Sequence, residues 1–316
     1  MRKRVSFRID FEMEILTVDE TTNKIKFAMW PRPDRYEWQV IDGKKMLHDR
    51  LDDIFFPENV VDRFAKGLQG APVGFETSEK EVWNFEEYVT SRLQEIEQRS
   101  LGRGESFEFT DKSEDFLESL SINKLEFAIL SIDIKDSSVL SNNLDPDSYE
   151  RIVETFVYEI SELVPKFHGY VLKYQGDGLI AYFPAPSFII KNDLAMECAL
   201  DMRKLVYLGL NPVFLKVGLP TIDVRIGLEA GEAYVCAIGS PSAKRHMDII
   251  GEIVNLATKV QSLAGPGGVT LGDATYRHLH TSWRHLCIEM ELPENWKYKN
   301  SGAGPYKVFR VQFKSL

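Results

Sequence analysis

Hydrophobic and polar residues alternate strictly near the start of the chain. Over residues 5–16, the odd positions from Val5 to Ile15 are apolar and the even positions from Ser6 to Glu14 are polar. This is the period of a half-buried β-strand. A polar turn at Thr21–Lys24 and a return strand at Ile25–Trp30 complete a predicted hairpin.

Two helices are predicted next. One spans Asn59–Leu68, and a longer one runs from Glu81 to about Arg99, with Ser78 and Glu81 forming a capping box at its start. Glycine and polar residues then indicate a linker. The sequence therefore predicts three parts: a small α+β N-terminal domain over 1–100 to which no motif assigns a role, a linker over 101–114, and a second domain over 115–316.

The second domain has a different order of predicted elements. Strands and helices alternate, and hairpins interrupt the alternation. The predicted strands are Phe127–Ile134, Tyr170–Tyr174, Gly178–Phe183, Val224–Glu229 and Glu232–Ile238, with two more near Val269 and Val308. The predicted helices are Tyr149–Phe167, Asp193–Leu205 and Ile253–Leu263. The pattern favours an α+β fold with helices packed on a mostly antiparallel sheet.

Charge and composition narrow the possible partners and location. The net charge of −10 over 316 residues argues against binding of nucleic acid or acidic membranes. The basic start lacks the apolar region of a signal peptide, and no run approaches the ~18 apolar residues of a membrane span. The three cysteines are widely separated without CxxC spacing. A protein of the reducing cytoplasm, without a disulfide framework or zinc site, is therefore expected.

Two aspartates stand where a metal site can form. Asp133 comes at the end of the apolar strand 127–134, and Asp177 lies in the glycine-flanked turn between two predicted strands. Two carboxylates brought together in this way give hard oxygen ligands for Mg²⁺ or Mn²⁺ bridging phosphates. Each motif alone is weak, since an aspartate in a glycine turn is ordinary turn chemistry.

Three further motifs follow in order along the chain. They are VRIGLEAGE at 224–232, AIGS at 237–240 and DIIGEIVNLATK at 248–259. With these five motifs, including the 44-residue spacing between Asp133 and Asp177, residues 124–311 resemble the catalytic domain of class III adenylyl and guanylyl cyclases. The resemblance implies a ferredoxin-like, palm-type antiparallel sheet with packed helices, and closure of a nucleoside triphosphate into a 3′,5′-cyclic nucleotide with release of pyrophosphate.

The resemblance assigns roles to individual residues. Asp133 and Asp177, with the backbone at Ile134, match the family's ligands for two Mg²⁺ or Mn²⁺ ions per site. Asn255 matches the residue that orients the ribose. Lys259 stands where the family usually has an arginine, so the charge is kept while the bidentate fork is lost.

Other cations have family-typical positions too. Lys299 resembles the terminal-phosphate lysine, although one added residue leaves Lys297 as an alternative. Arg225 is expected to pair structurally rather than to contact the substrate. Because the family takes its metal ligands and its asparagine–arginine pair from different subunits, the resemblance also implies a homodimer with composite active sites.

By the same resemblance, Lys173 and Asp248 fall at the positions where adenylyl cyclases hold a lysine and an aspartate that read the base, whereas guanylyl cyclases have other residues there. A lysine donor and a carboxylate acceptor match adenine N1 and its amino group, and equally cytosine N3 and its amino group. Uracil offers an acceptor and a donor in exchanged positions. The pair therefore disfavours guanine and leaves adenine and the pyrimidines open. A plain salt bridge between the two residues is the structural alternative.

Several functions remain at this point. The sequence shows no membrane span and no recognisable sensor module, and it has Lys259 and, where the family commonly has glycine, Asp136. In these features the chain resembles the pyrimidine cyclases of bacterial antiphage (Pycsar) systems. These make cyclic CMP or cyclic UMP for a downstream cyclic-nucleotide-binding effector. The alternatives are an adenylate cyclase in ordinary signalling and a catalytically dead pseudocyclase. A diguanylate synthase is disfavoured because Gln175–Gly178 lacks the expected GG[D/E]EF-like turn.

Overall fold

The computed structural model divides the chain into two compact units, Met1–Trp83 and Asn84–Leu316. The residues described are 9, 11–19, 24–31, 33, 36–50, 53–61, 83–104, 111–120, 124–184, 188–240, 242–243, 245–299 and 306–313.

The first unit contains two small antiparallel sheets. Its strands are β1 (Phe11–Asp19), β2 (Lys24–Pro31), β3 (Tyr36–Ile41), β4 (Lys44–Asp49) and β5 (Ile54–Pro57). β1 pairs with β2, which confirms the predicted hairpin, and β4 lies between β3 and β5. Of the helix predicted at Asn59–Leu68, the part after Val61 lies outside the described residues, and residues 58–61 are helical.

The second unit begins with a long helix and then alternates strands with helices. Its helices are α1 (Phe85–Ser100), α2 (Lys112–Ser119), α3 (Ser137–Asn143), α4 (Pro146–Leu163), α5 (Phe188–Lys204), α6 (Asn211–Lys216), α7 (Glu252–Ser262), α8 (Asp273–His278) and α9 (Thr281–Arg284). Its strands are β6 (Lys124–Ile134), β7 (Tyr170–Tyr174), β8 (Gly178–Phe183), β9 (Val224–Gly239), β10 (Arg245–Ile250), β11 (Gly268–Gly272), β12 (Cys287–Glu289) and β13 (Val308–Val311). A 3₁₀ turn follows α4, and a π-helical turn at Leu205–Leu210 joins α5 to α6.

Eight strands form one sheet in the order β12-β13-β11-β9-β6-β8-β7, with β10 paired to β9. β9 and β11 run parallel, and the other pairs are antiparallel. The two strands predicted at Val224–Glu229 and Glu232–Ile238 are one continuous strand, β9, because Gly231 continues the chain at φ +154°. β10 was not predicted, since its sequence RHMDII carries no regular alternation.

Helices cover both faces of this sheet. Along β6, Leu130 and Ile132 face a core formed with α1, α4 and α5, whereas Phe127 and Ile129 face a second core formed with α2 and α7. This double burial explains why β6 reads as a continuous apolar run rather than as an alternating strand. Among the helices of the described chain, none combines the length and the apolar character that crossing a bilayer requires.

Helix α1 starts later than predicted and belongs to the second unit. Asn84 caps it, because its side-chain oxygen accepts hydrogen bonds from the backbone N–H groups of Glu86 and Glu87. The predicted capping pair, Ser78 and Glu81, lies outside the described residues. The units therefore divide before α1, earlier than the linker predicted at 101–114, and part of that predicted linker is the capped start of α2 at Asp111.

A buried ion pair joins α1 to α4. The Arg92 guanidinium donates two hydrogen bonds to the Glu159 carboxylate, at 3.0 and 2.7 Å. The Glu159 side chain is fully buried, and this burial raises its pKa while Arg92 opposes the change. About two turns further along α1, the Arg99 guanidinium stacks on the Tyr158 ring at 3.4 Å. These charged contacts explain how a helix with few apolar residues is held on the rest of the second unit.

Arg92→Ala is expected to destabilise the second unit by about 3–5 kcal/mol, because it leaves a buried carboxylate without its partner. Lys216→Ala is the matched control, since Lys216 pairs with Glu97 of the same helix at the surface and should cost at most about 1 kcal/mol. Urea unfolding measures both values. Equal losses in the two variants would contradict the assigned role of the buried pair.

Candidate active site

The register of three strands brings the two predicted metal aspartates together. Asp133, near the end of β6, lies opposite Gly178 at the start of β8. The backbone N–H of Ile134 donates to the carbonyl oxygen of Asp177 at 3.2 Å. The turn that carries Asp177 is therefore fixed beside the end of β6, as a site built from both residues requires.

Glycine is necessary on one side of this turn. A Cβ atom on Gly178 would lie 2.1 Å from the carbonyl oxygen of Ile132, so the two strands approach as closely as they do because the side chain is absent. Gly176, in the same turn, has a φ of +66° and open space where its side chain would be. Packing therefore selects Gly178, and backbone conformation selects Gly176.

Arg225 of β9 holds the Asp133 carboxylate. It lies directly opposite Asp133 in the β6–β9 pairing, and its Nε and one terminal nitrogen contact the two carboxylate oxygens at 3.1 and 2.9 Å. The structural pairing expected for Arg225 is thus present. This bidentate contact fixes the orientation of Asp133 and offsets its charge.

The donor set suits a divalent metal ion bound together with a triphosphate. Within the described ranges, no three His, Cys, Asp or Glu residues cluster in a way that could enclose a metal ion. The predicted ligands Asp133 and Asp177 would provide two carboxylates, and the Ile134 backbone a carbonyl oxygen. Mg²⁺ is commonly held by one or two carboxylates plus substrate phosphates. The pKa of Tyr149 is raised by burial and further by the negative charge of Asp177, which places this tyrosine near the same site.

Asn255 and Lys259 occupy the exposed face of α7. The opposite face is buried through Leu256, Ala257 and Val260. α7 sits close to β9, since a Cβ atom on Gly227 would lie 2.4 Å from the backbone nitrogen of Gln261. No hydrogen bond or ion pair in the described part of the chain joins the side chains of Asn255 and Lys259 to Asp133 or Asp177.

Lys173 and Asp248 meet across the sheet surface. The Lys173 ammonium lies 3.2 and 2.9 Å from the two oxygens of Asp248. A β-bulge between Val171 and Lys173 turns this part of β7, and Asp248 accepts a further hydrogen bond from the backbone of Ile249. The Asp248 side chain is 12% exposed and that of Lys173 38%, so the lysine is the more accessible partner.

The strand that carries Asp248 is anchored from α2. The Glu114 carboxylate accepts the backbone N–H of Met247 at 2.9 and 2.8 Å. His246 lies on the same face of β10 as Asp248, and its Nε2 atom is 4.0 Å from the Asp248 carboxylate. The polar residues from Asp111 thus start a helix that supports the strand carrying Asp248.

Lys299 and Lys297 are both exposed. Lys299 lies next to Tyr298, whose carbonyl oxygen accepts the backbone N–H of Tyr306 at 3.2 Å. Residues 300–305 are outside the described part of the chain. Sequence reasoning missed Glu229 and Tyr306, which form a buried hydrogen bond behind this region. A charged residue inside the apolar stretch Ile226–Ala230 was the signal that could have found Glu229.

The comparison with known protein families identifies the class of protein to which this fold belongs. The model of the adenylate and guanylate cyclase catalytic domain matches residues 122–309. The chain belongs to this family, as the sequence motifs predicted.

Individual relatives carry different names. An adenylate cyclase of Anabaena cylindrica is 23% identical over 232 residues, which cover 71% of this chain and 41% of the relative. A uridylate cyclase of Burkholderia cepacia is 25% identical over 171 residues, which cover 53% of this chain and 72% of the relative. This chain therefore spans less than half the length of the Anabaena enzyme.

The fold is shared with solved cyclase structures. The crystal structure of the adenylyl cyclase CyaB from P. aeruginosa superimposes with a TM-score of 0.53 at 20% identity, over 62% of this chain and 98% of that one. The class III cyclase fold predicted for the second domain is confirmed, and a small sheet region precedes it.

Gly178→Ala is expected to separate the two aspartates predicted to bind metal, because its Cβ would overlap the backbone of Ile132. Its cost in stability should exceed that of Gly176→Ala, for which the left-handed backbone alone costs about 1–2 kcal/mol. Urea unfolding of the two variants measures the difference. A Gly178→Ala protein as stable as the Gly176→Ala control would contradict the close strand approach.

Proposed function

We propose that this protein is a nucleotide cyclase that converts a pyrimidine nucleoside triphosphate, UTP or CTP, into a 3′,5′-cyclic nucleotide and pyrophosphate. The observation that carries the cyclase assignment is the β6–β8–β9 register, which sets Asp133 beside the Asp177 turn and under Arg225 in a domain of the cyclase family.

The reaction is an intramolecular displacement. The ribose 3′-oxygen loses its proton and bonds to the α-phosphorus, while the bond from that phosphorus to the bridging oxygen breaks and pyrophosphate leaves. The nucleophile belongs to the substrate, so the protein contributes alignment and charge. Asn255 orients the ribose, Lys259 balances charge at the α-phosphate, and Lys299 binds the terminal phosphates.

Asp133, Asp177 and the Ile134 backbone would hold two Mg²⁺ or Mn²⁺ ions. When bound, such ions supply positive charge at the 3′-oxygen and along the triphosphate. Arg225 keeps the Asp133 carboxylate oriented, and this contact must loosen or share the carboxylate when a cation binds.

One comparison supports a pyrimidine substrate, and one contact is compatible with it. The Lys173–Asp248 pair offers one donor group and one carboxylate, which suit cytosine and adenine alike. The match to the uridylate cyclase covers 72% of that relative's length, whereas the match to the Anabaena adenylate cyclase covers 41% of that enzyme's length. An adenylate cyclase remains the second candidate, because the same pair matches adenine.

We extend the proposal to biological role and assembly. The product would act as a second messenger for a cyclic-nucleotide-binding effector in bacterial antiphage defence, with the enzyme working in the cytoplasm as a homodimer. In the described part of the chain, no hydrogen bond or ion pair joins the Asn255 and Lys259 side chains to Asp133 or Asp177, which supports a site completed by a second copy.

The direct test is to incubate the purified protein with each of the four nucleoside triphosphates and Mn²⁺ and to identify the products by mass spectrometry. Cyclic UMP or cyclic CMP should dominate, with traces of cyclic AMP, because a pocket closed around one ring excludes a purine. Dominant cyclic AMP would overturn the pyrimidine assignment. No cyclic product from any triphosphate would favour the pseudocyclase.

Asp133→Asn and Asp177→Asn should each abolish cyclisation and leave the fold intact, because each removes a ligand charge at a partly exposed site. Circular dichroism checks the fold, and product formation measures the loss. Wild-type turnover by either variant would contradict the metal assignment.

A composite site can be tested by mixing inactive variants. Asp133→Asn and Asn255→Ala should each be inactive, and subunit exchange between them should restore one intact site per heterodimer, or about a quarter of the wild-type activity. Native mass spectrometry verifies that heterodimers form. Heterodimers without activity would mean that the site lies within one chain.

Lys259→Ala should lower kcat by about two orders of magnitude with little change in triphosphate affinity, since the lost charge acts mainly in the transition state. Lys259→Arg should retain activity. Steady-state kinetics and binding of a non-cyclisable analogue separate the two effects. An unaffected Lys259→Ala protein would assign the catalytic charge to another cation.

A further inference from the structure

A carboxylic acid is buried in the centre of the sheet, outside the candidate active site. Glu229 lies on β9 and is 1% exposed. Because side chains alternate along a strand, it shares a face with Gly227, which packs on α7, and with Arg225, which holds Asp133. The residue therefore stands on the strand that connects the metal aspartates to α7.

The surroundings of Glu229 are shaped to receive it. One carboxyl oxygen accepts the backbone N–H of Ala230 at 2.8 Å, and the other accepts the hydroxyl of Tyr306 at 2.5 Å. A Cβ atom on Gly272 would lie 1.8 Å from that second oxygen, so glycine leaves the space that the carboxyl group fills. The Tyr306 hydroxyl also accepts the backbone N–H of Ala274 at 3.4 Å.

Tyr306 connects this buried group to Lys299. Its backbone N–H donates to the carbonyl oxygen of Tyr298, the residue before Lys299. Tyr298 packs beside Trp296, with ring centroids 4.9 Å apart, and this aromatic cluster covers the apolar side of α7. A displacement of Tyr306 would thus shift the backbone beside Lys299 and the packing of the helix that carries Asn255 and Lys259.

We propose that Glu229 and Tyr306 are positioning residues of the cyclase, which hold Lys299 at the distance needed to bind the terminal phosphates of the triphosphate. The inference rests on the proposed function, in which Lys299 has that role. Glu229 and Tyr306 act through the backbone beside Lys299 and do not contact the substrate.

Burial opposes ionisation of the Glu229 carboxyl group, whereas the hydrogen bonds that it accepts favour ionisation. Burial raises the pKa of Glu229 from 4.5 to about 8, with the hydrogen bond from Tyr306 acting in the opposite direction. Two other titratable groups face it. Asp273 of α8 raises the pKa further and is paired with Arg277 at 2.8 Å, and the pKa of Tyr306 is itself raised by burial. Burial therefore shifts the carboxyl group toward its protonated, neutral form.

The first test is a double-mutant cycle on nucleotide binding. The probes are the four 3′-deoxy nucleoside triphosphates, which cannot cyclise, and the corresponding monophosphates. Tyr306→Phe should weaken the tightest triphosphate about three- to tenfold and leave monophosphate binding unchanged. In a Lys299→Ala background, Tyr306→Phe should cause no further loss, because both changes remove the same phosphate contact.

Tyr276→Phe is the matched control. Tyr276 belongs to α8 and stacks on Phe309 at 3.8 Å, so the change removes a nearby hydroxyl without touching Glu229. It should leave binding unchanged, and thermal unfolding verifies that both variants fold. Additive losses from Tyr306→Phe and Lys299→Ala, or equal losses of triphosphate and monophosphate, would overturn the positioning role.

The second test examines the protonation state of the Glu229 side chain. Glu229→Gln keeps a neutral side chain of the same shape and should retain triphosphate affinity, whereas Glu229→Ala should lose it to the same extent as Tyr306→Phe. The folded protein holds the Glu229 proton more tightly than the unfolded chain, so wild-type stability should fall as the pH rises from 4.5 to about 8. The Glu229→Gln protein should show a flatter dependence over this window.

The outcomes distinguish the two proposals. A protein that binds a 3′-deoxy triphosphate but forms no cyclic product would contradict the proposed function and leave the binding cycle interpretable. An active cyclase in which Glu229→Ala and Tyr306→Phe bind triphosphate as tightly as the wild-type protein would overturn the positioning role alone. Binding of none of the four analogues would overturn both.

Discussion

The candidate site depends on the position of β6 between β8 and β9. Because helices bury both faces of the sheet, a shift of β6 by one residue would exchange its two apolar faces and turn Asp133 away from the site. The register is therefore strongly fixed. It sets Asp133 against Gly178 on one side and Arg225 on the other, and the close approach at Gly178 excludes any larger residue.

Charges in the second unit are arranged in pairs that differ in accessibility. In Arg92–Glu159 the carboxylate is fully buried, whereas the carboxylates of Asp133–Arg225 and Lys173–Asp248 are partly exposed. In the proposed function, a cation at Asp133 would compete with Arg225, and a base at Asp248 would compete with Lys173. The pairs would then compensate these acidic groups until a substrate with its own charges and hydrogen-bonding groups binds.

The exposed face of α7 has a different character. Asn255 and Lys259 are anchored from behind by apolar contacts with β9 and with the aromatic cluster near Tyr306, while their own side chains face outward. Such a surface is suited to completing a site on another copy of the chain. In the proposed positioning role, the Glu229–Tyr306 hydrogen bond links β9 to the segment beside Lys299, while the aromatic residues near Tyr306 pack against α7.

The sequence by itself determined the family, the mostly antiparallel fold and the candidate residues, because motif order and apolar periodicity are local properties of the chain. It also predicted β6, β7, β8 and α7 closely. Tertiary structure decided the start of α1, which Asn84 caps, the continuity of β9 through Gly231, and the strand that carries Asp248. Contacts between distant residues, such as Asp133–Arg225 and Glu229–Tyr306, depend on strand register and on the space left by glycines, and neither is written in local sequence.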